Sequence, residues 1–226
     1  LQVHIHENLK NLVRLGVLEL EELQLPRDGG DALWACIEAH GRRIQEAYGG
    51  LSAGQVPGVE EARRLYRSVG IDPTKHRPSS EALVRRLIQN KPLYRIHPLV
   101  DLFNLASLEA LLPVGLYDTS KIVGKMVEVR LGGVGAGFDG IRKDRVNVEG
   151  RLCIADALGP FGSPTSDSLR TCIEGDVPAT LAVFFGPLDG DRKNLERALA
   201  RSVELAQAHF EVKVAQREVL AASVLR

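Results

Sequence analysis

The chain has 226 residues, 44% hydrophobic and 26% charged, enough apolar material for a folded core, which excludes a disordered tail or a fibre. Its 29 Lys and Arg balance 29 Asp and Glu, so any electrostatic partner site has to be local. No apolar run approaches the roughly 20 residues that a membrane-spanning helix needs, so no membrane partner is expected.

Residues 12–20 alternate toward their end and predict a half-buried strand, stopped by the turn from Pro26 to Gly30. Asp31 is placed to cap a helix in which Leu33, Trp34, Ile37, Ile44 and Tyr48 recur at helical spacing until Gly49-Gly50. After a loop over 54–58, a second helix spans 59–69 and ends at Gly70. Asp72-Pro73 and Arg77-Pro78 force an extended loop, after which Ser79 or Ser80 caps a third helix running to about residue 89. Pro98 opens a segment through Leu112 that is apolar on nearly every side of a helix. It should be buried, with Asp101 and Asn104 as its conspicuous polar groups. Short strands are expected at 126–131, 146–148, 151–155 and 179–185, then an amphipathic helix over 191–210. Helices first, strands later and a late helix predict an α+β architecture in one domain over 1–226.

The sharpest charge asymmetry lies in residues 60–95, which hold nine basic and four acidic residues. Arg63, Arg67, Lys75, Arg77, Arg85 and Arg86 are candidates for phosphate contacts; the bland alternative is solvated helix faces with internal ion pairs, one of Arg85 and Arg86 turning in to Asp101 or Glu81. The glycines from Gly132 to Gly137 follow a strand without the helix a dinucleotide site requires. A second loop, from Ala157 to Ser168, concentrates glycines, hydroxyls and one carboxylate after a strand, and such a loop can wall a small-molecule pocket. His4 and His6 lack further ligands at metal spacing, and three widely spaced cysteines (Cys36, Cys153, Cys172) show neither ligand nor disulfide spacing. No metal or other cofactor is expected, and a reducing, cytoplasmic compartment fits the free thiols.

The segment from Tyr66 through Gly70-Ile71-Asp72-Pro73, Arg77-Pro78-Ser79-Ser80-Glu81 and Arg85-Arg86, followed by Val100-Asp101-Leu102-Phe103-Asn104 and Leu112-Pro113-Val114-Gly115 with Asp118, resembles a known family. It is similar to a stand-alone copy of the B-three/four tRNA-editing module of the phenylalanyl-tRNA synthetase β-chain, over roughly residues 60–185. The resemblance implies a three-layer α+β fold containing an unusual β-sandwich flanked by helices; residues 11–50 and 191–210 then form an N-terminal strand and helix and a C-terminal helix around the family core. In the synthetase the module hydrolyses tyrosine wrongly attached to tRNA for phenylalanine. Asn104 falls on the family's pocket asparagine, and Gly159 and Gly162 on the pocket glycines whose missing side chains leave room for the amino acid.

Two departures stand out: Gly115 replaces the pocket histidine, and no acid lies near Phe184-Phe185-Gly186 to read a tyrosine hydroxyl. Residues 167–171, with Asp167 and Thr171 at their ends, resemble a motif of free-standing relatives. The implied function is a trans-acting editor that cleaves the ester joining an amino acid to the charged 3′ end of tRNA. Asn104 would act catalytically by orienting substrate or water, and Gly115, Gly159, Gly162, Ser163, Asp167 and Thr171 would bind the amino-acid moiety. The rival readings are a noncatalytic RNA-binding module and a small-molecule amino-acid binding protein.

Overall fold

The structure, a computed structural model, describes residues 1–141 and 144–221. In chain order the elements are β1 (Gln2–Ile5), β2 (Val13–Gln24), α1 (Asp31–Tyr48), α2 (Val59–Ser68), α3 (Ser79–Ile88), α4 (Pro98–Ala110), β3 (Val114–Asp118), β4 (Met126–Leu131), β5 (Gly137–Asp139), β6 (Arg145–Asn147), β7 (Leu152–Asp156), β8 (Gly159–Gly162), β9 (Thr180–Pro187), α5 (Arg192–His209) and β10 (Glu211–Ala221). The fold is α+β. One sheet has the order β1-β4-β7-β8, a second β10-β2-β9-β3, and β5 and β6 form a small hairpin. All pairings are antiparallel except β1 with β4.

The period of two along β2 builds the layers. Val13, Leu15 and Val17 point to one side, where they meet Val127 and Val129 of β4, Leu152 and Ile154 of β7 and Phe161 of β8. Leu18 and Leu20 point to the other, where they meet Leu33 and Ile37 of α1, Leu102, Phe103 and Leu105 of α4 and Leu195 and Leu199 of α5. The sheets therefore form a sandwich, α1, α4 and α5 cover the outer face of the second sheet, giving three layers, and α2 adds Leu65 and Tyr66 to the core between the sheets. The central strand β9 is buried along its whole length, as a strand covered on both faces must be.

Helix ends follow local chemistry. Asp28, rather than Asp31, accepts the amides of Gly30 and Ala32 ahead of α1. His97 accepts the Leu99 amide before α4, Pro98 occupies the first turn, and Leu111 ends the helix in the left-handed conformation at φ 57°. Several strands carry little pattern of their own. β1 is only four residues long, and β3 is interrupted by Gly115. β5 and β8 are short and begin at glycines, and β10 alternates half-buried with exposed residues and so has a weak apolar signal.

Candidate functional site

The second glycine loop is tightly built. Ser163 Oγ accepts the amides of Thr165 at 3.3 Å and Ser166 at 3.1 Å, and the buried Tyr66 hydroxyl of α2 donates to the Pro164 carbonyl at 3.0 Å and lies 2.8 Å from Thr165 Oγ1. Burial raises the Tyr66 pKa, so the phenol keeps its proton for that bond. Farther along, Ser168 Oγ and Thr171 Oγ1 are 3.0 Å apart, the Ser168 amide donates to the Phe161 carbonyl, and the Asp118 amide donates to the Thr171 carbonyl. Arg170 reaches both carboxylate oxygens of Asp156 at 2.8 and 2.9 Å and lies 5.6 Å over the Phe161 ring. Ser168, Arg170 and Thr171 are thus occupied in holding the loop.

Gly115 and Gly162 come together across the sandwich on one residue that had no signal in the sequence. A Cβ added at either position would overlap the Tyr117 phenol, with a ring carbon 2.6 Å away in each case. Tyr117 is fully buried and packs edge-on against Phe161 at 4.9 Å between ring centres. Its pKa is pushed well up, first by burial and then by the neighbouring Asp167 carboxylate, so the hydroxyl stays protonated. The missing side chains at Gly115 and Gly162 therefore leave room for the Tyr117 ring, which fills the space expected to stand open. Gly159 differs: nothing lies within 4 Å of its added Cβ, and its φ of +118° is what requires glycine.

Asn104 is half-buried on the same side of α4 as Val100, one turn earlier. Its helix belongs to the layer outside the second sheet, whereas Gly115 and Gly162 back onto Tyr117 inside the sandwich. Asp101 is buried and accepts the Ile96 amide at 3.1 Å; burial raises its pKa against the pull of the Ile96 and His97 amides.

The basic residues divide sharply. Arg63 donates to both oxygens of Glu81 at 2.8 and 2.7 Å, Arg77 adds a third bond at 3.3 Å, and Glu81 is 1% exposed. A Cβ at Gly54 would lie 2.7 Å from the Arg63 guanidinium, so that glycine lets the arginine through. Arg67 pairs with Glu60, and Arg86 donates to the Pro92 carbonyl. Lys75 and Arg85 are exposed and make no ion pair among the described residues. The Arg77–Glu81 pair is four residues apart and local, but a charge run does not reveal the Arg63 pairing, because Glu81 lies 18 residues from Arg63.

Beside the glycine loop a cleft of about 290 Å³ opens, lined by Ile71, His76, Asn147, Arg151, Ser163 and Thr165. His76 and Arg151 had no signal in the sequence, since the α2–α3 loop and the start of β7 bring them together only in the fold. Among the described residues no group of three or more His, Cys, Asp or Glu side chains is arranged to hold a metal ion, and no helix is long and apolar enough to cross a membrane.

The family described as B3/4 domain matches residues 61–176, just over half of the chain. Among solved structures, an N-terminal fragment of the phenylalanyl-tRNA synthetase beta-subunit from Pyrococcus horikoshii is similar at 13% identity, with a TM-score of 0.48. The similarity covers 93% of this chain and 50% of that fragment. No curated protein matches.

Proposed function

Because the chain belongs to the B3/4 domain family, we propose that it binds tRNA and hydrolyses, in trans, the ester between an ill-matched amino acid and the tRNA 3′ end. The observation that supports this reading is the cleft beside the glycine loop, where Ser163 and Thr165 face His76 and Arg151. The ester is already activated, so a protein accelerates its hydrolysis by positioning it and a water molecule and by offering fixed donors to the developing oxyanion. Water adds to the carbonyl, the ribose oxygen leaves with a proton, and free amino acid and uncharged tRNA result. In this reading Ser163 and Thr165 meet the amino-acid ester, Asp167 and Thr171 shape the loop, and Arg151 and His76 face the incoming nucleotide, while Asn104, in the helical layer outside the second sheet, does not line this cleft.

The Tyr117 ring also bears on the substrate. It fills the volume that two glycines vacate, which favours an amino acid with a small side chain over an aromatic one. The test is a panel of tRNAs, each charged with a different labelled amino acid, incubated with the chain while release of the label is followed. Release from a small-residue tRNA and none from tyrosyl-tRNA is expected; no release from any member refutes hydrolysis. The same filled volume favours a second reading, a tRNA-binding module without hydrolysis, and that reading gives saturable tRNA binding with every ester intact.

A further inference from the structure

We propose that the groove between α1 and the extended α3–α4 linker is a docking surface for single-stranded RNA, an inference that rests on the tRNA-binding reading and gives it a location. From Ala82 to Val100 the chain carries Arg85, Arg86, Lys91 and Arg95 and no acidic residue. Within this stretch Tyr94 is 67% exposed, and the Arg86 guanidinium lies 4.1 Å over its ring. That same guanidinium donates to the Pro92 carbonyl at 2.8 and 3.1 Å, so one face of Tyr94 is backed by a fixed cation while the rest of the ring meets solvent. Ile96 beside it is 65% exposed.

The adjoining groove, about 310 Å³, has Trp34, Ile37, Leu87 and Leu93 as its apolar wall and Arg42 and Lys91 at its rim. Of the acids nearby, Asp31 pairs with Arg95 at 2.6 Å, and Glu38, the one acid that lines the groove, accepts the Trp34 indole N–H at 3.1 Å and keeps its charge. Arg42 and Lys91 are exposed and make no ion pair among the described residues, whereas Arg85 lines a separate cleft with Arg63 and Arg77. An exposed aromatic ring, Tyr94, and a half-buried one, Trp34, beside unpaired cations suit unpaired bases, which stack, and the phosphates between them, which pair. A duplex hides its base faces, and an acidic peptide satisfies the cations but not the rings.

The experiment uses the full chain, a fluorescein-labelled adenosine 12-mer RNA, a duplex of the same length, polyglutamate and an unmodified tRNA transcript. The single strand is expected to bind with a salt slope near −1.4, about −0.7 for each of two phosphates, and to change the emission of Trp34, the one tryptophan of the chain. Tyr94→Ala and Lys91→Glu should each weaken single-strand binding on the order of tenfold, and Tyr94→Phe should retain it. Equal or tighter binding of the duplex or of polyglutamate, or unchanged affinity in both weakening variants, overturns the proposal. If those variants also bind the tRNA as tightly as the parent does, only this surface is refuted and the tRNA-binding reading stands; a parent chain that binds neither RNA refutes both.

Discussion

The Tyr117 phenol of β3 occupies the space that a side chain at Gly162 of β8 would need, so two sheets are fitted to each other through one aromatic ring and a missing methyl group. Gly115, on the same strand as Tyr117, completes the fit.

Gly162→Ala is expected to destabilise the protein by about 1–3 kcal/mol, the usual cost of overpacking a filled core. Tyr117→Ala should cost about 3–5 kcal/mol through loss of the buried ring. The double variant should be more stable than the sum of the two predicts, because the added methyl then enters the space the ring vacates. Urea unfolding of the four proteins gives the coupling, and strict additivity would show that the methyl and the ring do not compete.

Thiol reactivity separates the three cysteines. Burial pushes the Cys153 thiol up to about 11, so at pH 8 only about one molecule in a thousand carries its thiolate. Cys172 is also buried, with its sulfur 3.1 Å from the Leu169 carbonyl, while Cys36 is exposed on α1. A thiol reagent at pH 8 should titrate one cysteine rapidly in the native protein and all three after denaturation. Rapid native reaction of two would place a second sulfur at the surface.

Much of the helical layer was legible because its periodicity and caps are local. Pro98 and the largely apolar run after it, with Asp101 and Asn104 as its conspicuous polar groups, describe α4 without reference to anything distant. The sandwich was harder. β3 contains a glycine whose reason is Tyr117, and β10 has an alternation that only its pairing with β2 turns into a strand. The site was legible as a loop and a set of glycines. Its content was not, because the side chain that fills the glycine space comes from position 117, and nothing in the local pattern says which ring will point there. The six arginines and lysines looked alike in sequence for the same reason: the buried Glu81 takes Arg63 and Arg77, the Pro92 carbonyl takes Arg86 and Glu60 takes Arg67, and only the fold brings most of these partners together.

The stability contributed by Asp156 should depend on pH. Burial pushes this carboxyl up, but the Arg170 guanidinium and the amides of Val123 and Leu158 outweigh it and hold the group below the ordinary carboxylate range. A carboxylate depressed on folding adds stability that is fully present above its unfolded value and disappears as pH falls through the folded one. Arg170→Gln should therefore be clearly less stable than the parent at pH 7, and the gap should narrow below about pH 4. Urea midpoints measured at both values check this; a gap that stays constant would assign the effect of Arg170 to packing on Phe161 instead.

The last prediction separates structural from RNA-facing cations. Removing Arg63 leaves the Glu81 carboxylate buried with one long bond to Arg77, and breaking a buried pair in this way typically costs about 3–5 kcal/mol. Arg63→Ala should unfold at a markedly lower urea concentration, whereas the paired replacement Arg63→Met with Glu81→Leu should recover most of the loss, since it takes both charges out of the interior. Lys75→Ala and Arg85→Ala touch exposed side chains and should shift stability by no more than about 0.5 kcal/mol. If these two residues neutralise phosphates, their removal weakens tRNA binding at low salt and makes the salt slope shallower by roughly 0.7 to 0.9 for each phosphate no longer neutralised. Measured together, the two series distinguish the roles: removal of Arg63 reports on the fold, and only the loss of Lys75 and Arg85 reports on RNA. A tRNA affinity and salt slope unchanged by the Lys75→Ala, Arg85→Ala double variant would return both residues to a solvated surface.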